Sequence, residues 1–124
     1  MRTIRSGPVV IAVEIPTKIT RLLGIRVPIV QAGMSWASSS PALPLAVSRA
    51  GGPGVLAAGP MRMKDFTDAV DVLRAAPPGP FAVNLPLYRP RAGDIIDYLV
   101  THPVPAIATS QGGPKKHPVL HDSL

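Results

Sequence analysis

The sequence predicts an α/β fold of consecutive parallel strand–helix units, the N-terminal half of a TIM (β/α)8 barrel with about four strands. Three observations carry that prediction. Four short apolar runs, at residues 27–32, 54–58, 80–85 and 104–109, are nearly continuous rather than alternating, as strands buried on both faces read. Amphipathic helical patterns separate them. The markers Pro28, Gly54, Pro80 and Val104 recur at spacings of 26, 26 and 24 residues, an even period that favours right-handed crossovers in a barrel over an open doubly wound sheet. A whole barrel needs eight units in roughly 250 residues. The expectation is therefore a half-barrel.

A short helix precedes the first run, with Thr17 as N-cap, Ile19, Leu22 and Leu23 as its buried face and Gly24 as its stop. After the first strand, Leu43, Ala46, Val47 and Ala50 fall at i, i+3, i+4 and i+7, ended by Gly51 and Gly52. Pro44 would remove a hydrogen bond from that helix if Ser40 were its N-cap, so a start at Pro44 is the alternative. Pro53 is tolerable only at the entry of the second strand. The third helix, over residues 64–75, presents Phe66, Ala69, Val70 and Leu73 on one face and Asp65, Asp68 and Asp71 on the other. The fourth pattern, over residues 94–100, carries Ile95, Ile96, Leu99 and Val100. In a half-barrel the first and fourth strands each leave an uncharged edge, and an inner face built from Ile29, Val55, Ala82 and Ile107 meets water. Self-association through those edges is expected.

Composition narrows the function classes. The chain has 16 prolines in 124 residues, which suits many element boundaries, and no cysteine, so disulfides, thiolate metal sites and cysteine nucleophiles are excluded. A cytoplasmic location is expected. The net charge is +6, but basic residues are scattered and aromatics are only 4 %, so no nucleic acid partner is expected. No apolar run reaches the roughly 18 residues of a membrane span, and Glu14 ends the one segment that resembles a signal peptide. His117 and His121 have zinc-like spacing, but Asp122 is the sole further ligand nearby, so no metal site is assigned. Residues 112–116 read as a generic anion turn, and Trp36 as a rim aromatic packed on a loop.

Barrel chemistry sits at the strand C-termini. There the runs end in Gln31, Ala32, Gly33 and Met34, then Gly59, then Asn84, then Thr109, Ser110, Gln111, Gly112 and Gly113. Such a mouth of amides, hydroxyls and glycines suits a planar polar ligand. The same residue types are also ordinary strand-end turn formers.

Four segments go further. Residues 23–36 (LGIRVPIVQAGMSW), 46–55 (AVSRAGGPGV), 80–86 (PFAVNLP) and 108–115 (ATSQGGPK) resemble, in order and spacing, signature segments of the nitronate monooxygenase (2-nitropropane dioxygenase) family, which includes the enoyl-ACP reductase II-like proteins. The resemblance implies an FMN-dependent oxidoreductase acting on a nitronate or an enoyl thioester. It also implies that Ala32, Gly33, Met34, Asn84, Ser110, Gly112 and Gly113 line the flavin. The catalytic histidine it implies follows a fifth strand, and the phosphate-binding turns follow a seventh and eighth, so no residue of this chain is assigned a catalytic role. Residues 1–14 match nothing in the pattern and are assigned to an N-terminal extension open to disorder. Residues 15–124 are expected to form a truncated FMN-binding barrel fragment, inactive alone. A remnant without flavin chemistry and a basic binding module stand as alternatives.

Overall fold

The computed structural model describes residues 13–76 and 79–113. The N-terminal extension up to residue 12, the His117/His121 pair and the lysines of the anion turn lie outside the described residues. The element order is α1 (Lys18–Leu23), a 3-10 turn (Ser35–Ser38), α2 (Ala42–Ala50), β1 (Gly54–Ala57), α3 (Met63–Ala75), β2 (Phe81–Pro86), α4 (Ala92–Thr101) and β3 (Ala106–Ser110). The three strands form one parallel sheet in the order β1-β2-β3, with Gly54 opposite Phe81 and Ala82 opposite Ala106.

The core forms where the sheet meets α3 and α4. Leu56, Val83 and Leu85 pack with Phe66, Val70, Leu73, Ile95, Ile96 and Leu99. The predicted apolar face of α3 is buried at all four positions. On α4 the stripe is shifted towards its start: Ala92 is buried, and Val100 is not. At the exposed start of α3, a hydrogen bond from the Arg62 guanidinium holds the Asp65 carboxyl below its ordinary value. The small stabilisation of that exposed pair is present at neutral pH and is lost as pH falls through the lowered value.

The first apolar run corrects the expected four-stranded ladder. Residues 27–32 belong to no strand of the sheet. They are held instead by isolated bonds. The Arg26 and Val27 amides donate to the Gly51 carbonyl, Arg26 Nη2 donates to the Ala50 carbonyl at 3.0 Å, and the Gln31 amide donates to Pro53. The side chain of Gln31 then takes the place of a neighbouring strand. Its Oε1 accepts from Val55 N at 3.2 Å, and its Nε2 donates to Val55 O at 2.9 Å. Tied down this way, the segment lies alongside the edge of β1. Val55 and Ala82, expected to meet water, are buried, whereas Ile29 is 67 % exposed.

Two helices differ from their predicted faces. In α1 the caps are as expected: Thr17 and Thr20 form a capping box, and Gly24 closes the helix at φ 65°. However, Leu22 is 79 % exposed and Thr20 is buried, because Ile15 N bonds back to Arg26 O and Ile25 N to Thr20 O, which turns the threonine side inward. Helix α2 starts at Ala42, neither at Ser40 nor at Pro44. Pro44 falls in the first turn, where no amide donor is needed. Its buried residues are Pro44 and Ser48 rather than the predicted stripe. The cause is a backbone-close approach to β1: a Cβ on Gly54 would overlap the Pro44 backbone. Ser48 accepts from Gly54 N at 3.3 Å and donates to Pro80 O at 3.0 Å, joining the entries of β1 and β2.

Gly54→Ala is expected to force α2 off the sheet and cost about 1–3 kcal/mol or more. That corresponds to several degrees in Tm by circular dichroism; an unchanged Tm would contradict the close approach. Gln31→Ala is expected to leave Val55 N–H and C=O without partners, costing about 1–3 kcal/mol. Amide exchange at Val55 should accelerate more than at Val83 in the central strand, and equal protection at both would contradict the strand-mimicking role.

Candidate functional site at the strand C-termini

The parallel register brings the carboxyl ends of all three strands to one side. Ala57 lies opposite Asn84, and Asn84 opposite Ala108. Asn84, half-buried on the central strand, organises this end. Its Nδ2 donates to Ala108 O at 3.1 Å and to Ser110 Oγ at 3.3 Å, and its carbonyl accepts from Ala58 N at 3.0 Å. The returning segment touches the same side chain: a Cβ on Gly33 would sit 2.5 Å from Asn84 Cβ and 2.8 Å from its Oδ1. Only glycine passes there.

A cavity of about 190 Å³ opens between these elements, with Gly33, Asn84 and Ser110 among its lining residues. The other lining residues are Ser35, Ala57, Gly59, Pro60, Pro86 and Gln111. None carries a side chain that titrates near neutrality. Ser35 and Gln111 are the described non-glycine residues at positive φ, at 36° and 54°. That both line one cavity is notable, because such strained backbone concentrates at ligand-binding sites. The sequence placed Gln111 in the polar mouth by its residue type, but backbone strain has no signature in composition or spacing, so Ser35 was not selected.

The remaining predicted residues are placed differently. The Met34 amide donates to the buried Ser38 Oγ at 2.8 Å and is already committed. Ala32 lies beside the cavity, not in its lining, and its carbonyl accepts from Gln31 Nε2. Gly112 is packed on Leu87, where a Cβ would approach Leu87 Cβ to 2.7 Å; Gly113 is exposed with open space around it. Trp36, expected to pack on a loop, is 80 % exposed and is outside the cavity. Among the described residues no group of metal-ligating side chains assembles, and no helix is long and apolar enough to cross a membrane.

Comparison with known proteins identifies the family and the fold. The family model described as nitronate monooxygenase matches residues 16–114. The chain is 34 % identical over 84 residues to (3aS,4S,5R,7aS)-5-hydroxy-7a-methyl-1-oxo-octahydro-1H-indene-4-carboxyl-CoA dehydrogenase of Mycobacterium tuberculosis, covering 68 % of this chain and 23 % of that protein. It is 37 % identical over 68 residues to a probable nitronate monooxygenase of Staphylococcus aureus, covering 55 % of this chain and 19 % of the relative. The chain thus spans about a quarter or less of the curated relatives it matches. Among solved structures, FabK from Thermotoga maritima superposes with a TM-score of 0.78 at 34 % identity, over 88 % of this chain and 35 % of FabK. Nitroalkane oxidase from Streptomyces ansochromogenes superposes with a TM-score of 0.68 at 26 % identity, over 85 % of this chain and 40 % of that enzyme. The family match, the partial-barrel superpositions and the segments converging on Asn84 lead to one conclusion: the chain belongs to the nitronate monooxygenase family.

Proposed function

We propose that this chain supplies the N-terminal wall of an FMN site in an oxidoreductase that acts on an alkyl nitronate or an enoyl thioester. The observation that carries this reading is the convergence of Gly33, Asn84 and Ser110 on one cavity bounded by two strained residues. The donor set suits a flavin ring. Asn84 Nδ2 is spent on β3, and no protein donor reaches Oδ1 among the described residues. Oδ1 is thus an acceptor for the ring imide N–H, and the side-chain-free edge of Gly33 admits a flat ligand. FMN, when bound, supplies the acceptor for the electrons taken from substrate. The described residues bind and orient. Their cavity holds no side chain able to take a proton near neutrality, and the proton-transfer group belongs to a segment beyond these strands. Ala32, Met34, Gly112 and Gly113 then form the rim: Met34 fixes the turn through Ser38, and Gly112 lets the loop after β3 close on Leu87. We also propose a cytoplasmic location, with which a cysteine-free chain is compatible.

Titrating the 124-residue chain with FMN is expected to quench flavin fluorescence with weak, saturable affinity, and Asn84→Ala is expected to weaken it about two- to tenfold. Absence of saturable quenching, or identical affinity for the variant, would refute the flavin wall. The same chain saturated with FMN is expected to show no oxidation of propyl nitronate above background; robust turnover would place a proton acceptor within these residues.

We further propose that the isolated chain self-associates through β3, which pairs with β2 on one side only and whose Ala108 and Thr109 are exposed. The Gln31 side chain guards the edge of β1, so among the described residues the open edge is that of β3. Light scattering after size exclusion is expected to give a mass above 13.0 kDa, with Thr109→Lys shifting it towards monomer. A monomeric parent chain would refute this.

A further inference from the structure

A second cavity, of about 250 Å³, adjoins the first at the same end of the sheet. Gly59 and Pro60 line both. Its lining combines the apolar Met61, Leu85 and Ile95 with Arg89 and Arg91. The loop bearing these arginines is held by its backbone: Arg89 N donates to Pro86 O, Ala92 N to Arg89 O, and Ile95 N to Arg91 O. The described ion pairs, Arg62 with Asp65 and Lys64 with Asp68, involve neither arginine, and Asp94 in the first turn of α4 pairs with neither. A Cβ on Gly59 would be crowded by Pro86 Cγ at 3.1 Å and would meet Arg89 Nε only in ordinary contact at 3.9 Å, which puts the Arg89 guanidinium next to Gly59.

We propose that Arg89 and Arg91 form a phosphate-binding subsite, which takes the phosphate of a pantetheine-type arm whose other end reaches the Asn84 cavity. The proposal rests on the flavin-site reading and narrows its substrate. Two guanidinium forks beside an apolar wall match a tetrahedral oxyanion in shape and charge, better than point charges would. An alkyl nitronate carries its single charge at the reacting group and leaves this pocket unused. A phosphopantetheine thioester carries its phosphate away from the reacting carbonyl. Gly59 lies two residues beyond Ala57, the register partner of Asn84. At strand dimensions this puts the arginine pocket roughly 10–15 Å from Asn84, a span that a pantetheine arm covers. A flavin phosphate has the same terminal chemistry, so the test separates the two sources.

The test uses the 124-residue chain and titrates coenzyme A, phosphopantetheine, phosphate-free pantetheine, FMN and riboflavin, following backbone amide shifts by NMR. Coenzyme A and phosphopantetheine are expected to move the Gly59, Arg89 and Gly93 amides and to bind about tenfold or more tightly than pantetheine. The double variant Arg89→Gln/Arg91→Gln, checked for unchanged Tm, is expected to erase that difference and to leave FMN and riboflavin affinities as they were. Equal binding of pantetheine and phosphopantetheine by the parent chain overturns the proposal. So does a double variant that keeps the difference, or one that loses FMN affinity but not riboflavin affinity, which would assign the pocket to the flavin phosphate. Loss of flavin binding alone, with phosphopantetheine binding intact, overturns the flavin wall and leaves the arginine subsite standing.

Discussion

Asn84 sits where the separate segments of this chain meet. Its main chain holds the end of β1 through Ala58, and its side chain holds β3 through Ala108 and Ser110. Its Cβ and Oδ1 face the returning turn at Gly33. A half-buried amide can do this because it donates and accepts in one plane while occupying little volume. The side chain that joins three segments is therefore also one of the residues lining the candidate cavity.

The remainder of the architecture follows from how closely backbones approach. Gly54 lets α2 press against β1, and Ser48, buried between them, satisfies the amide and carbonyl that this approach would otherwise strand. With α2 so close, the chain leaving α1 is guided by the Gly51 and Ala50 carbonyls rather than by a strand edge. Gln31 then closes the unpaired edge of β1 with a side-chain amide, a peptide group in all but its attachment. A single amide needs no regular pairing, which is why an apolar run with strand-like composition lies beside the sheet without joining the ladder.

Division of labour at the strand ends follows the chemistry of the linings. One cavity is lined by two side-chain amides, two hydroxyls and strained backbone and by no side chain that titrates near neutrality, which suits orientation of a planar ring. Its neighbour pairs apolar walls with two guanidiniums, which suits an anion. Gly59 and Pro60 line both cavities.

The sequence by itself determined the parallel strand–helix period, the buried faces of α3 and most of α4, the caps of α1, and Gly33, Asn84 and Ser110 as site candidates. These were legible because they depend on local periodicity, on capping chemistry and on residue types that strand ends require. Only the tertiary structure decided the rest. Whether residues 27–32 join a ladder depends on the isolated bonds that the segment makes to Gly51, Pro53 and Val55. Which face of α2 is buried depends on Gly54. Whether Met34 N–H is free depends on Ser38. The pairing of Ser35 with Gln111 across one cavity, and of Arg89 with Gly59 across another, joins residues far apart in the chain. Each depends on the register of the parallel sheet, and a one-dimensional pattern does not encode register across crossovers of some 25 residues.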